Sequence, residues 1–145
     1  MDLPDNSYEL FLKQGSAFKL LQDGDKYPRY YFVLNLNAKF DSIILLSTST
    51  TRFNSHRNCQ GGDEIHIPVS KKDYTPFTEA CLICCGRPLK EVSKKSLTEQ
   101  LKSQKYKLLE PLPHNLLQKI LTGIAKSKVI PPIHKKMILP EENNL

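Results

Sequence analysis

From Ala17 to Cys85 the apolar residues come in short runs that are aromatic or β-branched, and only beyond Pro88 does their spacing become helical. Ala17 to Leu21 is a first strand candidate, followed by the turn signal Gln22-Asp23-Gly24-Asp25. Tyr30 to Leu34 and Ser42 to Thr50 have strong β character. Ile65 to Val69 alternates apolar and polar residues as a half-buried strand does, and Thr78 to Cys85 reads as an apolar strand halted near Gly86 and Pro88. Arg52 to Gly62 is polar, ends in two glycines and reads as an exposed loop.

Ser96-Leu97-Thr98-Glu99 fits a capping box, in which the serine and the glutamate each satisfy a free N–H at a helix start. A second helix is predicted from near Pro113, with Leu116, Leu117, Ile120, Leu121 and Ile124 on one face and Pro131-Pro132 ending it. Strands grouped ahead of helices predict an α+β fold, a small and strongly bent sheet or barrel with helices at one side. At 145 residues the chain suits a single domain. Residues 1–14 read as an N-terminal helix or arm, because Asp5-Asn6-Ser7 can cap a turn carrying Tyr8, Phe11 and Leu12 that stops at Gly15. Residues 15–90 read as the barrel, 91–130 as the helical part and 131–145 as a tail.

Charge narrows the class of partner. The net charge is +6, and all of it lies beyond residue 89, where eleven Lys/Arg face five Asp/Glu. Lys90, Lys94, Lys95, Lys102, Lys105 and Lys107 form the densest part. Such a patch draws in a polyanion without reading its sequence, although lysines on a solvated helix face give the same pattern. No apolar run approaches the ~20 residues of a membrane span, so no membrane partner is expected. Met1 to Glu9 is acidic and lacks a signal-peptide pattern, and a cytoplasmic location with four reduced cysteines is the expectation.

The order of the pieces resembles the MazF/PemK family of toxin ribonucleases. That family has a glycine before its first strand, here Gly15, then a strand beginning with arginine, here Arg29-Tyr30-Tyr31-Phe32-Val33-Leu34-Asn35. An apolar strand ending in hydroxyls follows, here Ile43-Ile44-Leu45-Leu46-Ser47-Thr48-Ser49-Thr50, then a late strand with a cysteine, here Thr78 to Cys84, and a final helix. The likeness covers roughly residues 15–126 and departs from the family where Tyr30 replaces a proline and Cys85-Gly86-Arg87 replaces polar residues. It implies an SH3-like β-barrel with C-terminal helices, an endoribonuclease acting on single-stranded RNA, a homodimer, and a small antitoxin protein as partner. No cofactor is implied.

Cleaving RNA without metal requires taking a proton from the 2′-OH, stabilising charge at phosphorus and supplying the leaving 5′-oxygen with a proton. Arg29 has the planar, permanently charged fork that matches phosphate oxygens, and the resemblance favours this role over a surface charge near Asp25. The hydroxyl run from Ser47 to Thr51 can hold a phosphate or simply end a strand, and the family threonine aligns with Thr48. Ser49 and Thr50 are its neighbouring alternatives. His56 has a suitable intrinsic pKa for proton transfer, and Arg52 and Arg57 flank it in the same loop. The catalytic set is therefore expected to be Arg29, Thr48 and His56, with Ser49, Thr50, Arg52, Arg57, Lys94, Lys95 and Lys102 binding RNA.

Two other readings compete. One is a nucleic-acid-binding or protein-interaction module on the same barrel without cleavage. The other is a small zinc domain, because His56-x₂-Cys59 and Cys81-x₂-Cys84 have ligand-pair spacing. Against zinc, Cys81 to Cys85 reads as a buried strand, so no metal is assigned.

Overall fold

The computed structural model describes residues 12–20, 29–50, 65–77, 80–103 and 105–140. The predicted N-terminal helix, the Gln22–Asp25 turn and the Arg52–Gly62 loop therefore lie almost wholly outside the described residues. The elements are β1 (Ala17–Leu20), β2 (Arg29–Val33), β3 (Ile43–Thr50), β4 (His66–Val69), β5 (Cys81–Cys84), β6 (Lys90–Ser93), α1 (Lys94–Lys102), β7 (Tyr106–Leu109), α2 (His114–Lys126) and α3 (Pro132–Ile138). The fold is mixed α+β. Among the described residues no helix is long and apolar enough to cross a membrane.

All strand pairs are antiparallel, in the order β4-β5-β3-β2-β1-β7, with β6 also paired to β3. Among the described residues β4 and β7 are the two ends of this path, so the sheet does not close on itself. β3 is the organiser. Its eight residues pair with β2 along one edge, and with β6 and then β5 along the other.

Both faces of the sheet are covered, which is why its central strands are apolar at nearly every position. Tyr30, Phe32, Leu34, Leu45, Ile67 and Ile83 face one core, closed by Leu116, Ile120 and Ile124 of α2 and Ile138 of α3. Phe18, Leu20, Tyr31, Val33, Ile44 and Leu46 face the other, closed by Leu97 and Leu101 of α1. The period-two alternation of a strand sends neighbours such as Tyr30 and Tyr31 to opposite cores.

Four expectations change here. The open path replaces a five- or six-stranded barrel confined to residues 15–90. β7 lies inside the stretch read as helical and pairs with β1 along its whole length. α1 starts at Lys94, and its cap is Ser93, whose Oγ accepts the Ser96 N–H at 3.0 Å. The helix thus begins as soon as β6 ends, one residue triplet ahead of the predicted box. The tail is no arm through residue 140. Gln14 Nε2 donates to Leu34 O at 2.7 Å and Ile138 O at 2.8 Å, and buried Ile138 and Leu139 hold α3 in the core.

Gly15 occupies the position before β1. Its φ is +92°, its N–H donates to Val33 O at 2.8 Å, and its carbonyl accepts the Leu112 N–H at 2.8 Å. A Cβ here would meet Leu117 Cδ2 at 3.2 Å, so both backbone angle and space ask for glycine.

Candidate nucleic-acid interface

The second edge of β3 contains a break. Leu46 is registered with Lys90 of β6, and the next registered residue, Ser49, lies opposite Ile83 of β5. Between these two registers β3 changes partner from β6 to β5, and one further step of the β5 register puts Cys84 opposite Thr48. The chain there leaves β5 at Cys84, runs through Gly86-Arg87-Pro88-Leu89 and rejoins the sheet at Lys90. A proline cannot donate to a ladder, and Pro88 sits where the pairing is interrupted.

A pocket of about 280 Å³ opens at this break. Arg29, Thr48, Ser49, Arg87, Lys90 and Tyr31 are among its walls, with Leu46, Leu82 and Leu89 supplying apolar surface. β2 and β3 bring the two predicted catalytic residues together: Tyr31 pairs with Thr48, and Arg29 stands two positions before Tyr31 on the same face. Arg29 and Thr48 are both exposed at the mouth.

The electrostatics are one-sided. Three cations line the pocket, and among the described lining residues none is a carboxylate. Lys90 Nζ lies 5.0 Å from the centroid of the Tyr31 ring, held by the electron-rich face. Tyr31 is itself fixed, stacked on Phe18 at 5.6 Å and edge-on to Tyr106 at 6.0 Å. Burial, and then the neighbouring Tyr31, push the Tyr106 phenol above its ordinary pKa, so it stays a neutral donor. Ser47 Oγ is buried and has no hydrogen-bond partner among the described residues. Three positive charges around one opening add their attraction for a phosphate, and because Arg29 and Lys90 are exposed that attraction is screened by salt.

The remaining predicted residues are distributed unevenly. Ser49 lines the pocket, and Thr50 ends β3 opposite Leu82. Lys94 is half-buried, and its ammonium donates to Ala38 O at 3.1 Å and Lys39 O at 2.8 Å, clamping the turn between β2 and β3. Lys95 and Lys102 are exposed on α1 and are not pocket walls. His56, Arg52 and Arg57 lie outside the described residues. Arg87, Lys90 and Tyr31 were not in the predicted set. The legible signal for the first two was Gly86-Arg87-Pro88 itself, a strand terminator carrying a cation between an apolar strand and a lysine.

Two of the four residues of the zinc reading, His56 and Cys59, lie outside the described residues. Cys81 and Cys84 stand three apart on β5, which puts them on opposite faces of a strand. Cys81 is a buried free thiol, and Cys84 is disulfide-bonded, which corrects the expectation of four reduced cysteines. Cys85 is a free thiol facing α2. Its Sγ–H donates to Ile120 O at 3.6 Å, and burial pushes its pKa up to about 12. Among the described residues no three His, Cys, Asp or Glu side chains converge as a metal site.

A larger cavity of about 420 Å³ lies between β4 and α2, bounded by His66, Pro68, Gln118, Lys119, Thr122 and Lys126. It holds none of the predicted site residues. No protein-family model matches the chain, and no curated protein matches it.

Proposed function

We propose that the chain is a toxin-type endoribonuclease that cuts single-stranded RNA, and that its open antiparallel sheet is a variant of the SH3-like barrel of the MazF/PemK family. The observation that supports this most is that Arg29 and Thr48, both matched through the resemblance, line one pocket with Arg87 and Lys90, with no carboxylate among its described lining residues.

In the proposed reaction the RNA supplies its own nucleophile. The 2′-oxygen attacks the adjacent phosphorus as its proton leaves, the P–O5′ bond breaks, and O5′ takes up a proton. Arg29 pairs with the phosphate oxygens as negative charge gathers on them, and the Thr48 hydroxyl positions the same phosphate. Arg87 and Lys90 hold the chain on either side, with Ser49 at the pocket wall. His56 is assigned the proton transfer, and Arg52 and Arg57 contacts to the backbone. Single strands are favoured, because an unstacked nucleotide can align its 2′-OH with the leaving oxygen. The proposal extends to a cytoplasmic homodimer held inactive by an antitoxin protein.

A binding module without cleavage is the competing reading. It draws on one observation: among the described residues lining the pocket, none is a carboxylate or a histidine. Incubating the pure protein with matched single- and double-stranded RNA in chelator separates the two. Fragments from the single strand alone support the nuclease. Intact RNA that is retained on the protein supports the module.

A further inference from the structure

The cavity between β4 and α2 has a chemistry that the proposed reaction does not use. Its volume of about 420 Å³ is in the range of small-molecule sites. β4 is the last strand of the sheet path, and α2 contributes Gln118, Thr122 and Lys126 at four-residue spacing, with Lys119 beside them. That spacing keeps them on one stripe of the helix, apart from Leu116, Ile120 and Ile124, which pack into the core. His66, Ile67 and Pro68 of β4 supply the rest of the described lining.

We propose that this cavity is a nucleotide-binding site, taking the phosphate at Lys119 and Lys126 and the base against Pro68. Each part of a nucleotide finds a complement there. His66, Lys119 and Lys126 are basic, and among the described lining residues none is a carboxylate, so an anion is the favoured charge. Lys119 also attracts Asp73, but that carboxylate's main partners are the Ser70 N–H at 2.8 Å and the Ser70 hydroxyl at 3.0 Å, which hold its pKa below the ordinary value. Thr122 directs its hydroxyl proton to Gln118 O at 2.9 Å, which leaves its oxygen as an acceptor for a sugar hydroxyl or a base amino group. The Gln118 amide offers a donor and an acceptor to a base edge. Ile67 and Pro68 give the apolar surface on which a base face can lie.

The cavity and the Arg29 pocket share β5. His66 and Pro68 of β4 are registered with Cys84 and Leu82, and both of those residues are walls of the Arg29 pocket. One further step of the β3–β5 register puts Cys84 opposite Thr48, so Thr48, Cys84 and His66 form one row across three strands. At a strand spacing of about 4.8 Å that row is roughly 10 Å long, a distance that a few nucleotides of a single strand cover. Where the Arg29 pocket is read as an RNA site, on which this clause rests, the nucleotide in the cavity belongs to the same strand. Contacts remote from the scissile phosphate then serve to orient it.

The test is an amide-proton titration of the ¹⁵N-labelled full chain with adenosine monophosphate at fixed ionic strength. The Ile67, Gln118 and Thr122 amides are expected to shift and saturate. Lys119→Gln is expected to weaken nucleotide binding about threefold, the scale of one exposed ion pair, while Lys128→Gln, at an exposed lysine outside the cavity, leaves it unchanged. A short single-stranded RNA with every 2′-hydroxyl methylated then identifies the source of the nucleotide without cleavage. A matching loss of RNA affinity in Lys119→Gln supports the site as part of the strand's path, and unchanged RNA affinity beside the nucleotide response supports it as a site for a free nucleotide. Cavity amides that respond to the nucleotide no more than to chloride, or equal effects of the two lysine variants, overturn the proposal. Failure to cut unmodified RNA with the nucleotide response intact removes the nuclease reading alone and leaves the nucleotide site standing.

Discussion

Tyr31 of β2 lies directly opposite Thr48 of β3, and that one register places a cation-bearing aromatic ring beside the second residue of the hydroxyl run in β3. A shift by one residue would send Thr48 to the core that holds Phe32 and Leu45 and remove it from Arg29. The site depends on strand pairing more than on any loop whose structure is described.

Arg87 should contribute to RNA binding mainly through charge. Arg87→Ala is expected to weaken single-strand binding at low salt and to lower the slope of log K against log salt by about 0.7, the value of one phosphate contact on a single strand. Titrations at four salt concentrations measure this. An unchanged slope would take Arg87 out of the interface.

Lys94 should behave as a structural residue. Its ammonium serves two turn carbonyls, so Lys94→Met is expected to cost about 1 kcal/mol of stability. Its effect on RNA affinity should be no larger than that of Lys95→Ala. Urea unfolding beside RNA titration distinguishes the roles, and a large affinity loss at full stability would return Lys94 to the binding set.

Much of this was legible in the chain. Tyr30 to Leu34, Ser42 to Thr50, Ile65 to Val69 and the Leu116–Ile124 stripe announced β2, β3, β4 and α2, because each carries its own period. β7 was not legible. Tyr106-Lys107-Leu108-Leu109 is four residues long, and its partner β1 is almost ninety residues earlier, a pairing no local pattern reports. α3 has one buried residue within its bounds, Ile138, and is held by Gln14 from the start of the described chain. Arg29 and Thr48 entered the expected set through the resemblance, Arg29 as the residue that opens β2 and Thr48 within the hydroxyl run of β3. Arg87 joined them only because the Gly86–Leu89 connector passes over the break, which is a property of the assembled sheet.

Gly15→Ala should destabilise the fold by about 1–2 kcal/mol, the cost of a side chain in the left-handed region. The midpoint of urea unfolding should fall with its slope unchanged. A midpoint equal to that of the parent would mean the turn before β1 has relaxed at little cost.

Alkaline pH should weaken the fold. Burial raises the Cys85 thiol from 9.0 to about 12, and burial, Glu110 and Tyr30 push Tyr74 up in the same direction. A raised pKa means the folded state holds its proton more tightly. This stabilisation is complete below the unfolded value near 9 and is lost as pH rises toward 12. Thermal midpoints should be level from pH 7 to 8.5 and decline above it, with a shallower decline in Cys85→Ala. A midpoint that stays flat to pH 11 would contradict the burial of both groups.

The central claim is that Arg29 stabilises charge on a phosphate being cleaved. Its most direct measurement is the rate at which pure protein cuts a single-stranded RNA in chelator, for the parent chain and Arg29→Ala side by side. Loss of an oxyanion contact of this kind typically costs ~10²–10³ in rate, so the variant should cut at least a hundredfold more slowly while unfolding at the same urea concentration. Equal rates in parent and variant, or no cutting by either, would contradict the account.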